Sequence, residues 1–239
     1  MITFFRRIRK RLLPGGAASR YLLYAIGEIA LVVLGILIAL QINNWNEARK
    51  DKIIEKEILR NLAQCLDTNV KLLEDQIDLN KRSDDASEIV LHALENRLPY
   101  HDSLSAYLGY ASNVDNSGDI FSYYAYEVLK NTGMEIIRNQ ALKNEIVLLF
   151  EETFAIPRNR MDRVGETYAD HVAFRQEHFV RLWGYDFEPI DYEGLLNDKK
   201  VHSWFRAIEQ NRGWINESLD ETLAETQRVL KMVKSELKE

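Results

Sequence analysis

The sequence predicts an all-α protein, with one N-terminal transmembrane helix continuing into the first long helix of an antiparallel bundle of about four helices. Three observations predict it. Residues 21–42 are almost entirely apolar, with one carboxylate among them. Residues 47–98 contain no Gly or Pro and repeat apolar side chains in steps of four and three. The 239-residue chain holds only 11 Gly and 4 Pro, too few for a turn-rich β protein, and helix-forming residues dominate it.

The first element is the N-terminal arm, residues 1–20. It carries Arg6, Arg7, Arg9, Lys10, Arg11 and Arg20 and no acid. Phe4, Phe5, Ile8, Leu12 and Leu13 interleave with those charges. That pattern fits a short amphipathic helix lying on a membrane surface, attracted by anionic headgroups at about 1 kcal/mol per charge. Pro14-Gly15-Gly16 then interrupts it. An apolar span follows directly, so the basic run reads as a membrane arm rather than a nucleic-acid contact.

The second element is the span, residues 21–42. Its length is roughly 33 Å at 1.5 Å per residue, enough for a hydrocarbon core of about 30 Å. A cleaved signal peptide is the competing reading. The apolar part is longer than such a peptide needs, and no small-x-small site precedes Gln41-Ile42-Asn43-Asn44. Tyr21, Tyr24 and Trp45 stand where interfacial aromatic anchors belong. The remainder, 43–239, holds 25 basic and 36 acidic residues, against a net charge of −6 for the whole chain. A basic tip, an apolar span and an acidic body imply an uncleaved inner-membrane anchor, with the N-terminus cytoplasmic and residues 43–239 forming a periplasmic domain.

Glu28 is the anomaly inside the span. A charged side chain at the bilayer centre costs about 2.5–3.5 kcal/mol on insertion scales, less off-centre. Tyr21, Ala25, Glu28, Val32, Gly35, Ala39, Ile42, Asn46 and Arg49 follow one another in alternating steps of four and three. This is a heptad seam, with a small-xxx-small pair at Gly35 and Ala39. Three readings of Glu28 stand open: a protonated group reaching for the headgroups, a hydrogen-bonding glue residue across an oligomer or to a partner's helix, and a proton or ion carrier. The seam favours the second, and a lone carboxylate in a single span disfavours the third.

The strings FFRRIRKRLL and YLLYAIGEIALVVLGILIALQINNWNE carry a resemblance. They look like the N-terminus of an uncharacterised family of single-pass membrane proteins from Gram-negative bacteria. FSYYAYEVLKNTGMEIIRNQALKNEIVLLFE is more loosely similar to a stretch of that family's body. The resemblance implies a helical domain outside the cytoplasmic membrane, and it implies no activity, cofactor or ligand.

The body reads as further helices. Ile54, Ile58, Leu62, Leu66, Val70, Leu73 and Ile77 mark one long amphipathic helix that Pro99 ends, with spacing that also suits a coiled coil near the membrane. A connector with turn residues Asn116, Ser117 and Gly118 leads to IFSYYAYEVLKN, capped by Asp119 or Ser122 and stopped at Gly133. The next helix starts near Asn139, and Pro157 kinks it or divides it from a helix over RNRMDRVGETYADHVAFRQEHFVRLW. Gly184 to Gly194 is a turn region, and no stretch alternates as a strand would. A last helix runs from about Lys200, with Trp204, Ile208, Ile215, Leu219, Leu223, Val229 and Val233 on its apolar face. Whether the C-terminus returns toward the bilayer is left open.

Chemistry is sparse. The chain has no nucleophile elbow, phosphate loop, dinucleotide fingerprint or paired cysteines, so no enzyme activity, cofactor or metal is expected. His171 and His178 are seven apart, about 10 Å in helical rise, where a metal site wants a spacing of three or four. Cys65, the single cysteine, reads as a small buried apolar residue, with a disulfide between two copies as the alternative. Tyr107, Tyr110, Phe121, Tyr123, Tyr124 and Tyr126 form an aromatic-rich stretch. It reads as core at the far end of the bundle, with Tyr107, Tyr110, Tyr123 and Tyr124 the alternative partner or ligand surface. Trp183, Trp204 and Trp214 read as packing anchors. The expected function is a membrane-anchored scaffold, meeting the lipid bilayer and either a second copy or a membrane-protein partner, and no nucleic acid. The alternative is a ligand-sensing module that signals through a separate protein.

Overall fold

The computed structural model describes residues 17–113, 120–182 and 184–238. Arg6, Arg7, Arg9, Lys10 and Arg11 of the basic arm lie outside the described residues, as do Asn116, Ser117, Gly118, Asp119 and Trp183. The protein is all-α, and helix α1, Ala17–Glu95, is long and apolar enough at its N-terminal part to cross a membrane. It begins four residues ahead of the expected span. The chain divides into two units, 1–54 and 55–239.

In the first unit every described side chain from Tyr21 to Trp45 is exposed. Among the described residues no other part of that unit covers the apolar surface, which is the condition of a helix whose solvent is lipid.

The second unit starts at Glu55, a residue 6% exposed whose carboxylate accepts the Arg138 backbone N–H at 2.8 Å. From there α1 buries Ile58, Leu59, Leu62, Leu66 and Leu73, each worth about 1.5–3 kcal/mol once removed from water. It ends in a left-handed turn: Arg97 has φ 53° and the Leu98 N–H bonds the Ala93 carbonyl at 2.9 Å. The helix thus stops before Pro99 is reached. Further along come α2 (Leu104–Ala111), α3 (Tyr124–Thr132), α4 (Gln140–Leu148), α5 (Ala155–Gly165), α6 (Tyr168–His178), α7 (Tyr192–Asn197) and α8 (Lys199–Glu236).

Hydrogen-bonded pairs give the directions. Asp67 with Lys234 (2.9 Å), Asn80 with Asn216 (2.6 Å) and Asp84 with Arg212 (2.6 Å) run in opposite orders, so α8 is antiparallel to α1. Asn139 with Glu236 (2.7 Å), Glu145 with Arg228 and Arg160 with Glu217 (3.5 Å) make α4 and α5 antiparallel to α8 as well. α3 completes the bundle, with Tyr126 donating to Glu151 at 2.8 Å. The last turns of α8 therefore return to the end of this unit that holds Glu55.

Three local expectations are corrected. Ser122 does not cap α3, which starts at Tyr124; instead the Ser122 backbone is clamped to α1 by Asn69, which accepts its N–H at 2.7 Å and donates to its carbonyl at 3.0 Å. Cys65 adds its thiol to that carbonyl at 3.2 Å and is buried, as expected. The break ahead of Pro157 is a π turn, Leu149–Thr153, because the proline ring crowds the carbonyl four residues back, that of Thr153. α4 starts beside Asn139 as expected, and Asn139 caps it, accepting the Leu142 N–H at 3.1 Å.

The third correction concerns residues 179–189, expected as the end of a helix and a turn. They form an antiparallel hairpin, β1 (Phe179–Arg181) with β2 (Phe187–Pro189), turning at Gly184 with φ 53°. Phe179 and Phe187 point into a core with Val90, Leu94, Leu108, Val201 and Phe205, while Val180 faces out at 51% exposure. The hairpin leans on α2 at Gly109, where a Cβ would overlap the Tyr185 carbonyl. Gly109→Ala should therefore displace the hairpin and lower stability by about 1–3 kcal/mol in chemical denaturation, without moving the helical circular-dichroism baseline.

Candidate functional site

Ala25, Glu28, Val32, Gly35 and Ala39 lie on one uninterrupted stretch of α1. At about 20° of drift per heptad, two heptads of a straight helix keep them within one face. All five are exposed, and a Cβ at Gly35 or at Gly27 meets nothing within 4 Å. The face is open to a close-approaching helix.

The four tyrosines set apart by the sequence are not brought together. Tyr107 and Tyr110 belong to α2; Tyr110 packs against the core of Val90, Leu94 and Phe205 and stacks on Tyr185 at 4.4 Å, while Tyr107 is exposed. Tyr123 adjoins the other core, that of Leu62, Leu66 and Phe154. There Tyr123 packs edge-on to Phe154 at 6.0 Å and receives Arg158 over its ring, while Tyr124 is 74% exposed. Phe121 and Tyr126 are buried, stacked on Phe154 and Phe150 respectively.

Between the two cores lies a polar layer that the sequence reading missed. Arg212 is 4% exposed, and its Nε donates to Asp84 Oδ1 at 2.6 Å. Its Nη2 donates to Ser87 Oγ at 2.8 Å, and Nη1 reaches the Tyr110 and Asn113 carbonyls at 3.4 and 3.5 Å. Asp84 Oδ2 accepts from Asn216, Asn216 from Asn80, and Asn80 from Gln76. Burial pulls the guanidinium below its ordinary value and Asp84 opposes that pull. A gap in the apolar series of α8, between Ile208 and Ile215, was the available signal: Arg212 fills it.

Trp204 is half-buried and stacks on Phe174 at 4.9 Å. Trp214 is more open and carries Arg160 and Arg163 over its ring at 4.8 and 5.5 Å. His178 is held by the Phe174 carbonyl at 2.8 Å, and the ring centroid of His171 sits 5.9 Å from that of Trp204. Among the described residues no three His, Cys, Asp or Glu are placed to hold a metal ion.

Burial holds the His171 imidazole below its ordinary range; Asp170 opposes the shift and Arg175 adds to it. The stability consequence has a definite sign. Above about pH 6.5 the ring is neutral in both folded and unfolded chains. Below that the unfolded chain takes up a proton that the folded one resists, so stability is lost as pH falls. Denaturation midpoints measured between pH 7.5 and 5 should fall more steeply for the wild type than for His171→Gln.

The model of a family of unknown function, DUF6090, matches residues 28–96. No curated protein and no solved structure matches the chain. The matched segment starts at Glu28 and ends one residue beyond α1, so it contains most of the seam and the whole face of α1 that the body packs against.

Proposed function

We propose that this protein is a membrane-anchored helical scaffold that pairs through its span and meets protein partners with its body. The observation that carries the reading is the first unit of α1: an apolar helix exposed on every described side, with Glu28, Gly35 and Ala39 on one face. Lipid satisfies the apolar surface, but Glu28 gains most by leaving lipid for a hydrogen-bonding neighbour, and the small residues let one approach. The charge asymmetry of the sequence supports an inner-membrane location with the N-terminus cytoplasmic and the acidic body periplasmic.

The experiment is the mass of the full chain in mild detergent, beside Glu28→Leu and Gly35→Leu. The scaffold reading expects a defined oligomer for the wild type that both substitutions dissociate. A monomeric wild type overturns self-pairing, and an oligomer untouched by both substitutions overturns the seam.

A further inference from the structure

At the C-terminal end of α1 a cavity of about 390 Å³ opens between the last turns of that helix, the connector after it and α2. Its volume lies in the range of small-molecule sites. Glu88 and His92, one helical turn apart, lie on one wall, His101 and Tyr107 on others, and Ile89, Leu98 and Pro99 supply apolar surface. Ile89, Leu98 and Tyr107 are three of the large apolar residues that the body leaves exposed, at 40%, 40% and 39%, and all three line this one cavity.

The connector is under strain at the same place. Arg97 holds φ 53°, the one positive φ outside glycine among the described residues, and it precedes Leu98 and Pro99 of the lining. Backbone strain of this kind costs about 1–3 kcal/mol and collects at ligand sites.

The polar groups select a ligand. Glu88 is the one carboxylate of the lining, and it makes no ion pair among the described residues. His101 Nδ1 accepts the Ser103 backbone N–H at 3.2 Å, so in the neutral ring the proton sits on Nε2, which is left as a donor. The lining therefore offers an anion, a donor, an aromatic ring and an apolar wall.

We infer that this cavity binds a small organic ammonium with an apolar body. The ammonium pairs with Glu88, and the body lies against Ile89, Leu98 and the Tyr107 ring. Binding here neither requires nor excludes pairing in the membrane.

Three probes of one shape and different charge test it: phenethylamine, phenethyl alcohol and phenylacetate. Each is titrated by saturation-transfer NMR into the full chain in mild detergent, with empty micelles subtracted. Phenethylamine should bind saturably, the alcohol about three- to fivefold more weakly, as the loss of one exposed ion pair allows, and phenylacetate more weakly still. Glu88→Gln, a change on an exposed side chain, should bring the amine to the level of the alcohol, and Tyr107→Ala should weaken both. Non-saturable signals from all three probes, or an amine isotherm unchanged by Glu88→Gln, overturn the inference.

Discussion

Arg212→Met should lower stability by about 3 kcal/mol, the low end for breaking a buried pair because Asp84 is a third exposed, since it leaves the remaining partners facing an apolar side chain. Asp84 keeps only its bond from Asn216, while Ser87 Oγ and the Tyr110 and Asn113 carbonyls lose their donor. The Coulombic pair is not what is lost; the desolvated remainder is what costs. A double variant, Arg212→Met with Asp84→Leu, should therefore recover most of the loss, since an apolar pair of similar volume is often neutral or better at such a site. Guanidinium denaturation of the full chain in detergent measures all three. A double variant as unstable as the single one would show that the layer stabilises through more than charge satisfaction.

Phe154→Ala should cost about 3–5 kcal/mol, the range for emptying a large buried aromatic site. Phe154 is wholly buried, stacked on Phe121 at 4.4 Å and edge-on to Phe150 at 5.1 Å. The π turn explains why this side chain is inside. A regular helix from Ile146 through Leu149 would turn Thr153 toward the core. The extra residue of Leu149–Thr153 shifts the register, so that the Phe154 N–H bonds the Leu149 carbonyl at 3.0 Å and its ring takes the place. Phe154→Leu should cost markedly less, about 1–2 kcal/mol, because it leaves a smaller void. The same denaturation experiment separates the two.

The sequence carried the long elements well. The long helix through residues 47–95 and the last helix from about Lys200 both rest on periodicity sustained over many turns, where the 3.6-residue repeat is hard to mistake. Ile58, Leu62, Leu66, Leu73, Ile208, Ile215, Leu219, Val229 and Val233 were all assigned to apolar faces and are all buried. The short elements were illegible for a physical reason. A three-residue strand has one full alternation, and Phe-Val-Arg is equally at home in a helix, so only its pairing with Phe187–Pro189 makes it a strand.

The polar layer was hidden differently. Asp84 and Arg212 are 128 residues apart, and neither shows from its own neighbourhood that it has a partner. On α1 the core face passes through Asn80, Ser83 and Ser87, all buried, and on α8 through Arg212. Two matching polar interruptions in two apolar stripes are a signal, but one that is read only after the helices are known to be antiparallel. Of the candidate sites, the Glu28 seam was visible because it is local to one helix. The cavity beside Glu88 was not, because His101 and Tyr107 reach it through the turn at Arg97.

The central claim, that two copies pair through the seam of α1, is tested most directly in native membranes. Single cysteines at Ala25, Val32, Gly35 and Ala39, and at Leu31, Leu34 and Ile38 off the seam, are introduced into a Cys65→Ala chain and oxidised. Pairing through the seam predicts disulfide-linked dimers at 25, 32, 35 and 39 and little at 31, 34 and 38. Equal crosslinking at all seven positions, or none at any, contradicts it.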